Sequence, residues 1–232
     1  MSVVNVLSGG AAAAVVKGVQ AQFERETGAR IDASYSAVGQ MRDQLLAGAP
    51  CDLVILTRAL VAKLVESGHV VAGSARSLGI VRTGVAVPGG RPHPKIGNRE
   101  ELAAAFRAAR EIYYPDPEKA TAGIHFMNVL KSLGLDQELQ AAFRRFPNGA
   151  TAMAEMAKSR EANVIGCTQE TEINYTPNVD LVGSLPKEFE LATDYTLGLC
   201  TKAQQPELAK QLAALVAGPA SEAIRRQGGF QF

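Results

Sequence analysis

The chain has 232 residues, with 24 Lys plus Arg against 23 Asp plus Glu, 47% hydrophobic residues, no Trp and three Cys. That apolar fraction sustains a packed core in one large domain or two small ones, which excludes a disordered or fibrous chain. A formal charge of +1 lacks the concentrated cationic excess that nucleic-acid phosphates demand, and no apolar stretch reaches the ~18 to 20 residues of a membrane-spanning helix.

Met1 to Leu7 reads as a strand, with no basic stretch, apolar run and small-residue cleavage site before it. As written the chain is expected in the cytoplasm, or in the periplasm if a leader was removed. Ser8-Gly9-Gly10 ends that strand, and Ala11 to Glu26 carries helical spacing through Val15, Val16, Val19 and Phe23, stopped by Gly28. A strand at Arg30 to Tyr35 leads into a helix from Val38 to Ala47. A continuous apolar strand, Asp52 to Leu56, precedes a helix from Arg58 to Glu66. Apolar strands separated by helices predict a parallel sheet covered on both faces.

The rhythm then changes. Ser77 to Pro88 is one long β-rich segment, followed by the rigid turn Pro88-Gly89-Gly90-Arg91-Pro92-His93-Pro94. Asn98 caps a helix through Ala109, Ile112 to Tyr114 is a short strand, and Thr121 opens a helix to Leu133 with Gly134 behind it. A helix at Gly149 to Lys158 and strands at Asn163 to Thr168 and Asp180 to Val182 complete a second α/β unit. A strand at Tyr195 to Thr201 and helices at Pro206 to Val216 and Pro219 to Gln227 finish the chain. The expected organisation is a two-lobed α/β fold, with residues 1–82 and 196–232 in lobe 1 and 83–195 in lobe 2. Ligands of open α/β sheets collect outside the carboxyl ends of the strands, so a cleft between the lobes is where function is expected.

Helix starts at strand ends offer backbone N–H groups and a positive dipole to an anion. Ser8-Gly9, Ser36-Ala37, Thr57 and Ala122-Gly123 all stand at such starts. A tight turn that binds nothing is the alternative at Ser8-Gly9-Gly10. Arg82, in mid-strand, either forks onto a carboxylate ligand or makes a structural salt bridge. Arg42 reads as a solvated helix residue. His125, in the first turns of its helix, is either structural or a neutral base or donor. Thr168 ends a buried strand and Gln169, Glu170 and Glu172 follow it, where a carboxylate could take a proton from carbon, pair with Arg82 or simply face solvent; Asp194 and Tyr195 complete the candidates. Cys51, Cys167 and Cys200, widely spaced beside apolar runs, read as buried reduced thiols. His69, His93 and His125 lack metal-site spacing and there is no G-x-S-x-G elbow, so neither a metal, a cofactor nor covalent hydrolysis is indicated.

The run from Leu7-Ser8-Gly9-Gly10 through Phe23-Glu24-Arg25-Glu26-Thr27-Gly28 to Leu46-Ala47-Gly48-Ala49-Pro50-Cys51-Asp52-Leu53 resembles the periplasmic molybdate-binding proteins of the type 2 solute-binding fold. The likeness continues in Tyr114-Pro115-Asp116-Pro117 and the terminal Gly228-Gly229-Phe230. Two places depart from that family: Ala37-Val38 stands where it has a hydroxyl-bearing pair, and Thr168 near where it has a tyrosine. Val81-Arg82-Thr83-Gly84, Ala122-Gly123-Ile124-His125-Phe126 and Gln169-Glu170-Thr171-Glu172-Ile173 are similar to a divergent branch that also resembles bacterial aconitate isomerase.

The resemblance implies a small organic anion, di- or tricarboxylate-like, or an oxyanion, bound with hinge closure. The expected ligand-binding residues are Ser8, Gly9, Ser36, Ala37, Thr57, Arg82, Ala122, Gly123, His125, Thr168 and Gln169. The alternative is an isomerase that moves an allylic proton between cis- and trans-aconitate, with His125 and Glu172 as catalytic residues. Expected partners are the small anion itself and, if the chain is exported, an ABC transporter membrane component, with no nucleic acid and a monomer or weak dimer.

Overall fold

The computed structural model describes residues 2–232, so Met1, at the head of the expected first strand, lies outside the described residues. The chain forms two compact units, the first running to Val81 and resuming at Thr193, the second spanning Arg82–Ala192.

In the first unit the strands run in the order β2-β1-β3-β9: β1 (Val3–Gly9), β2 (Arg30–Ser36), β3 (Leu53–Thr57) and β9 (Ala192–Leu199). β1 is parallel to β2 and β3, whereas β9 returns antiparallel to β3, so the sheet is mixed at that side. α1 (Ala13–Thr27), α2 (Val38–Leu46), α3 (Arg58–Glu66) and α8 (Pro206–Ala217) supply the apolar stripes that cover it. Val15, Val16, Val19 and Phe23 of α1 share one buried cluster with Leu53 to Leu56 of β3, Leu212 and Val216 of α8, and Phe230. Burying side chains of that size is worth roughly 1.5 to 3 kcal/mol each and holds the discontinuous halves together. The helix expected from Ala11 opens as a 3-10 turn, Gly10–Ala12, and becomes α-helical only at Ala13. The last expected helix also divides, into a 3-10 turn at Pro219–Ser221 and α9 (Glu222–Gly228), because the Ser221 hydroxyl turns back onto the carbonyls of Val216 and Gly218. Arg225, buried, extends its guanidinium to the carbonyls of Leu78 and Gly218, so a cation meets the unsatisfied carboxyl end of α8.

β4 (Arg76–Pro88) carries the chain into the second unit, where the order is β4-β7-β5-β6 with β8 also on β4: β5 (Glu111–Pro115), β6 (Phe143–Phe146), β7 (Val164–Gln169) and β8 (Val179–Ser184). β5 is parallel to β6 and β7, and β4 is antiparallel to β7 and β8. Alternation along β5 assigns the helices to two faces. Ile112 and Tyr114 join the cluster of α4 (Arg99–Ala108) and α5 (Thr121–Leu133), where Phe126 packs on Phe106 and Tyr114. Tyr113 joins α6 (Gly149–Met156) and α7 (Glu170–Asn174) through Met153, Met156 and Ile173. Arg82, placed by the sequence reading at the end of lobe 1, belongs to the second unit, where its guanidinium reaches Glu190; Tyr195, placed in lobe 2, pairs with Thr57 in the first.

Candidate functional site

In the first unit, parallel strands with a fixed register bring the expected donors to one edge. Gly9 lies opposite Ser36, Ser8 opposite both Tyr35 and Ile55, and Thr57, two residues on, opposite Tyr195 of β9. Each strand end then turns into a helix, so this edge collects helix starts. Ser8 is fully buried and its hydroxyl donates to the carbonyl of Gly9 at 2.9 Å. Gly9 is glycine for a packing reason: a Cβ there would come within 2.7 Å of Val38 Cγ1 and 3.2 Å of Tyr195 Cε1. Ser36 Oγ donates to Gln40 Oε1 at 2.6 Å, Ala37 is the N-cap of α2, and Thr57 caps α3 by accepting from Leu60 N. Burial pushes the neighbouring Tyr35 phenol up to about 12, so it stays a neutral donor at physiological pH. Behind the edge, Asp194 pairs with Arg58 at 3.0 Å and accepts from the hydroxyls of Ser77 and Thr196. Arg42 folds onto its neighbour Asp43 at 2.6 Å on the surface.

The second unit treats its helix starts differently. Ala122 and Gly123 stand in the first turn of α5, whose internal bonding begins with Ile124 N on the Ala120 carbonyl. Gly123 permits a close backbone-to-backbone approach, since a Cβ would fall 2.3 Å from the Asp116 carbonyl oxygen and 2.4 Å from that of Pro115. Asp116 organises the preceding turn by accepting from Glu118 N, Lys119 N and Arg145, and those donors hold its carboxyl below the usual range despite burial. His125 Nε2 lies 2.7 Å from the Phe189 carbonyl, which only accepts, so the ring holds its proton on that nitrogen. Arg82 Nε donates to Glu190 at 2.9 Å in a half-exposed ion pair.

Glu172 is the most telling group. Only 8% exposed, it accepts the Thr168 hydroxyl at 2.6 Å and backbone N–H bonds from Gly149, Ala150 and Gln169. The chain therefore plugs the N-terminus of α6 with its own carboxylate. Burial raises the Glu172 pKa above the ordinary carboxylate range, and the hydroxyl and backbone donors oppose that rise. Gly149 has to be glycine, because a Cβ would collide with Glu172 Oε2 at 1.9 Å and Thr168 Oγ1 at 2.0 Å. Gln169 is buried beside Thr83, its register partner on β4, and Glu170 accepts the Ser184 hydroxyl at 2.5 Å.

Sequence reasoning had not singled out Thr83, Thr171, Gly149 or Ala150. The hydroxyls of Thr83 and Thr171 are buried and make no hydrogen bond among the described residues, the condition of groups that a ligand or water completes. A signal existed for α6, where Asn148 before Gly149 reads as an N-cap and indeed accepts from Thr151 N. The expected Arg82 fork and His125 base both meet internal partners in the second unit, while Ser8, Gly9, Ser36, Ala37 and Thr57 share one edge of the first. Among the described residues no helix is long and apolar enough to cross a membrane.

A family model described as bacterial extracellular solute-binding protein matches residues 4–231. An aconitate isomerase from a Pseudomonas species is 28% identical over 235 residues, covering 98% of this chain and 87% of that protein. The periplasmic molybdate-binding protein of Azotobacter vinelandii superposes with a TM-score of 0.80 at 19% identity, covering 99% of both chains. The sulfate-binding protein of Mycobacterium tuberculosis does so with a TM-score of 0.74 at 15% identity, covering 99% of this chain and 86% of that one.

Proposed function

Because the chain belongs to the bacterial extracellular solute-binding protein family, we propose that its solute is a small organic anion of the di- or tricarboxylate class. The observation that carries this reading is the first unit's edge, where three strand-to-helix turns present Ser8-Gly9, Ser36-Ala37 and Thr57 together. Neutral N–H and hydroxyl donors at helix starts stabilise a carboxylate without a mobile counter-charge. In the second unit, taken by itself, the hydroxyls of Thr83 and Thr171 have no hydrogen bond among the described residues, and Ala122-Gly123 opens α5. Gly149, Ala150 and Thr168 already serve Glu172. A tetrahedral oxyanion held by neutral donors alone needs nearly all of them, since each lost bond leaves a desolvated oxygen unpaired. An organic acid has fewer oxygens per reacting end and tolerates that loss, and the aconitate-isomerase relative agrees with the class.

A thermal-shift panel of citrate, cis- and trans-aconitate, sulfate and molybdate tests this. A ligand at a hundred times its Kd stabilises by about 2.7 kcal/mol, so the carboxylates should raise the melting temperature by several degrees. Stabilisation by molybdate or sulfate alone overturns the assignment. Ser8→Ala and Gly123→Asp should each weaken binding, the first by about tenfold for one lost neutral hydrogen bond.

A second reading, allylic isomerisation of aconitate, is favoured by Glu172, a buried carboxyl whose pKa burial raises, making it a stronger base than an ordinary carboxylate. Glu172 would take the proton from carbon and return it one allylic position away, and His125, with Nε2–H engaged on Phe189, could serve only through Nδ1. Proton NMR of cis-aconitate with the protein decides it: no trans isomer at high enzyme ends this reading. The family's extracellular description also supports action in the periplasm; the reading further has the protein act as a monomer or weak dimer that delivers its solute to an ABC transporter membrane component. Recovery of the natively expressed protein in the spheroplast rather than the periplasmic fraction contradicts that location.

A further inference from the structure

Cys51 and Cys200 are separated by 149 positions in sequence, yet their sulfurs lie 3.4 Å apart. Cys51 lies two residues before the first residue of β3 and Cys200 immediately follows β9, so the antiparallel pairing of Leu53 with Leu199 brings the two thiols together. They lie at the amino end of β3, opposite in the first unit to the edge that carries Ser8, Ser36 and Thr57. Both are free thiols and nearly buried, at 7% and 4% exposure, but both line a cavity of about 270 Å3 with His69, Lys202, Gly48 and Thr201. A small polar oxidant fits that space.

We infer that Cys51 and Cys200 are a modification site, a dithiol that a hydroperoxide converts to an intramolecular disulfide. The contact geometry assigns the roles. The Cys200 thiol donates to Cys51 Sγ at 3.4 Å, so the Cys51 sulfur has a donor aimed at it that steadies negative charge there, and the same contact with burial pushes the Cys200 pKa up; Cys51 is assigned the attacking sulfur. The Cys51 thiolate attacks one oxygen of hydrogen peroxide, the O–O bond breaks, Cys51 sulfenic acid forms, and the hydroxide that leaves takes up the proton Cys51 had released and becomes water. The Cys200 sulfur then attacks the Cys51 sulfur, the S–S bond forms, the S–O bond breaks, and hydroxide leaves with the Cys200 proton as a second water. The two thiols have lost two electrons and two protons, and the peroxide has been reduced to water. Cys167, in the second unit and fully buried, takes no part. The bond closes a very long loop and ties the returning strand β9 to β3, the condition under which a cross-link restrains the unfolded chain most.

The experiment is treatment of the full chain with hydrogen peroxide, followed by intact mass and thiol titration under denaturing conditions. The expected result is a mass lower by about 2 Da, reversed by dithiothreitol. Titratable thiols should fall from three to one per chain, with a Cys51–Cys200 cross-linked peptide after digestion. The oxidised protein should melt several degrees higher than the reduced one. Cys167→Ser should leave the reaction intact, whereas Cys51→Ser and Cys200→Ser should each abolish it. Three surviving thiols, a cross-link through Cys167, disulfide-linked dimers, or sulfinic acid at Cys51 without a cross-link overturns the proposal. Because the wild-type mass and its cross-linked peptide decide together, misfolding of a serine variant leaves the test standing. Failure here leaves the solute assignment untouched, since the thiols lie away from the donor edge.

Discussion

The two units solve the same problem, unsatisfied N–H groups at helix starts, by different means. The first unit caps α3 with the neutral Thr57 and leaves the turn after Gly9 and the start of α2 without a side-chain cap, since the Ser8 and Ser36 hydroxyls donate to oxygens, Gly9 O and Gln40 Oε1, instead. The second inserts carboxylates, with Glu172 on α6 and Asp116 in the turn that leads to α5. An edge lined by neutral donors still invites a negative ligand, whereas a helix start that holds its own carboxylate repels one. A likeness in fold to molybdate and sulfate binders therefore does not carry their ligand with it.

The comparison breaks most visibly at glycine. Gly123→Val should cost about 3 kcal/mol or more, because its Cβ would meet the fixed carbonyls of Pro115 and Asp116; urea denaturation measures it. Stability near wild type would mean that the α5 start is not held against that turn.

Glu172 sharpens the contrast through pH. Its folded pKa lies above the unfolded one, so its contribution is full below about 4.5 and is lost as pH rises through the folded value. Asp116 runs the other way: its depressed pKa gives stability present above its unfolded value and lost as pH falls through the folded one. Glu172→Gln should flatten the decline of the urea midpoint on the rising side and leave the acid limb unchanged. Glu172→Ala should cost about 2 kcal/mol at any pH, since it strands buried donors.

The smallest effect separates capping from binding. Thr57→Ala and Asn98→Ala each remove an N-cap and should cost about 1 kcal/mol. Only Thr57→Ala should also weaken citrate or aconitate binding, read by calorimetry. Equal losses of affinity would remove Thr57 from the donor set.

What the sequence made legible follows from range. α3 at Arg58–Glu66 and α5 at Thr121–Leu133 have the ends the sequence predicts, because caps and apolar spacing are local. β6, Phe143-Arg144-Arg145-Phe146, escaped, since two arginines in a four-residue strand leave almost no alternation to read. α7, Glu170–Asn174, is too short for a 3.6-residue period to show. The donor positions were readable because strand ends and helix starts can be located one at a time. The partners of Arg82, His125 and Glu172 were not, because Glu190, Phe189 and Gly149 reach them only through the tertiary arrangement.

The discontinuity of the first unit has a consequence for biogenesis. A ribosome delivers β1, α1, β2, α2 and β3 early, but β9, which lies against β3, and α8, which shares the core of α1, emerge last. The second unit is contiguous and can mature while its companion waits with an unpaired strand edge and an uncovered apolar face. During that interval the nascent polypeptide presents what chaperones bind, so translation stalled before Thr193 should leave an aggregation-prone fragment.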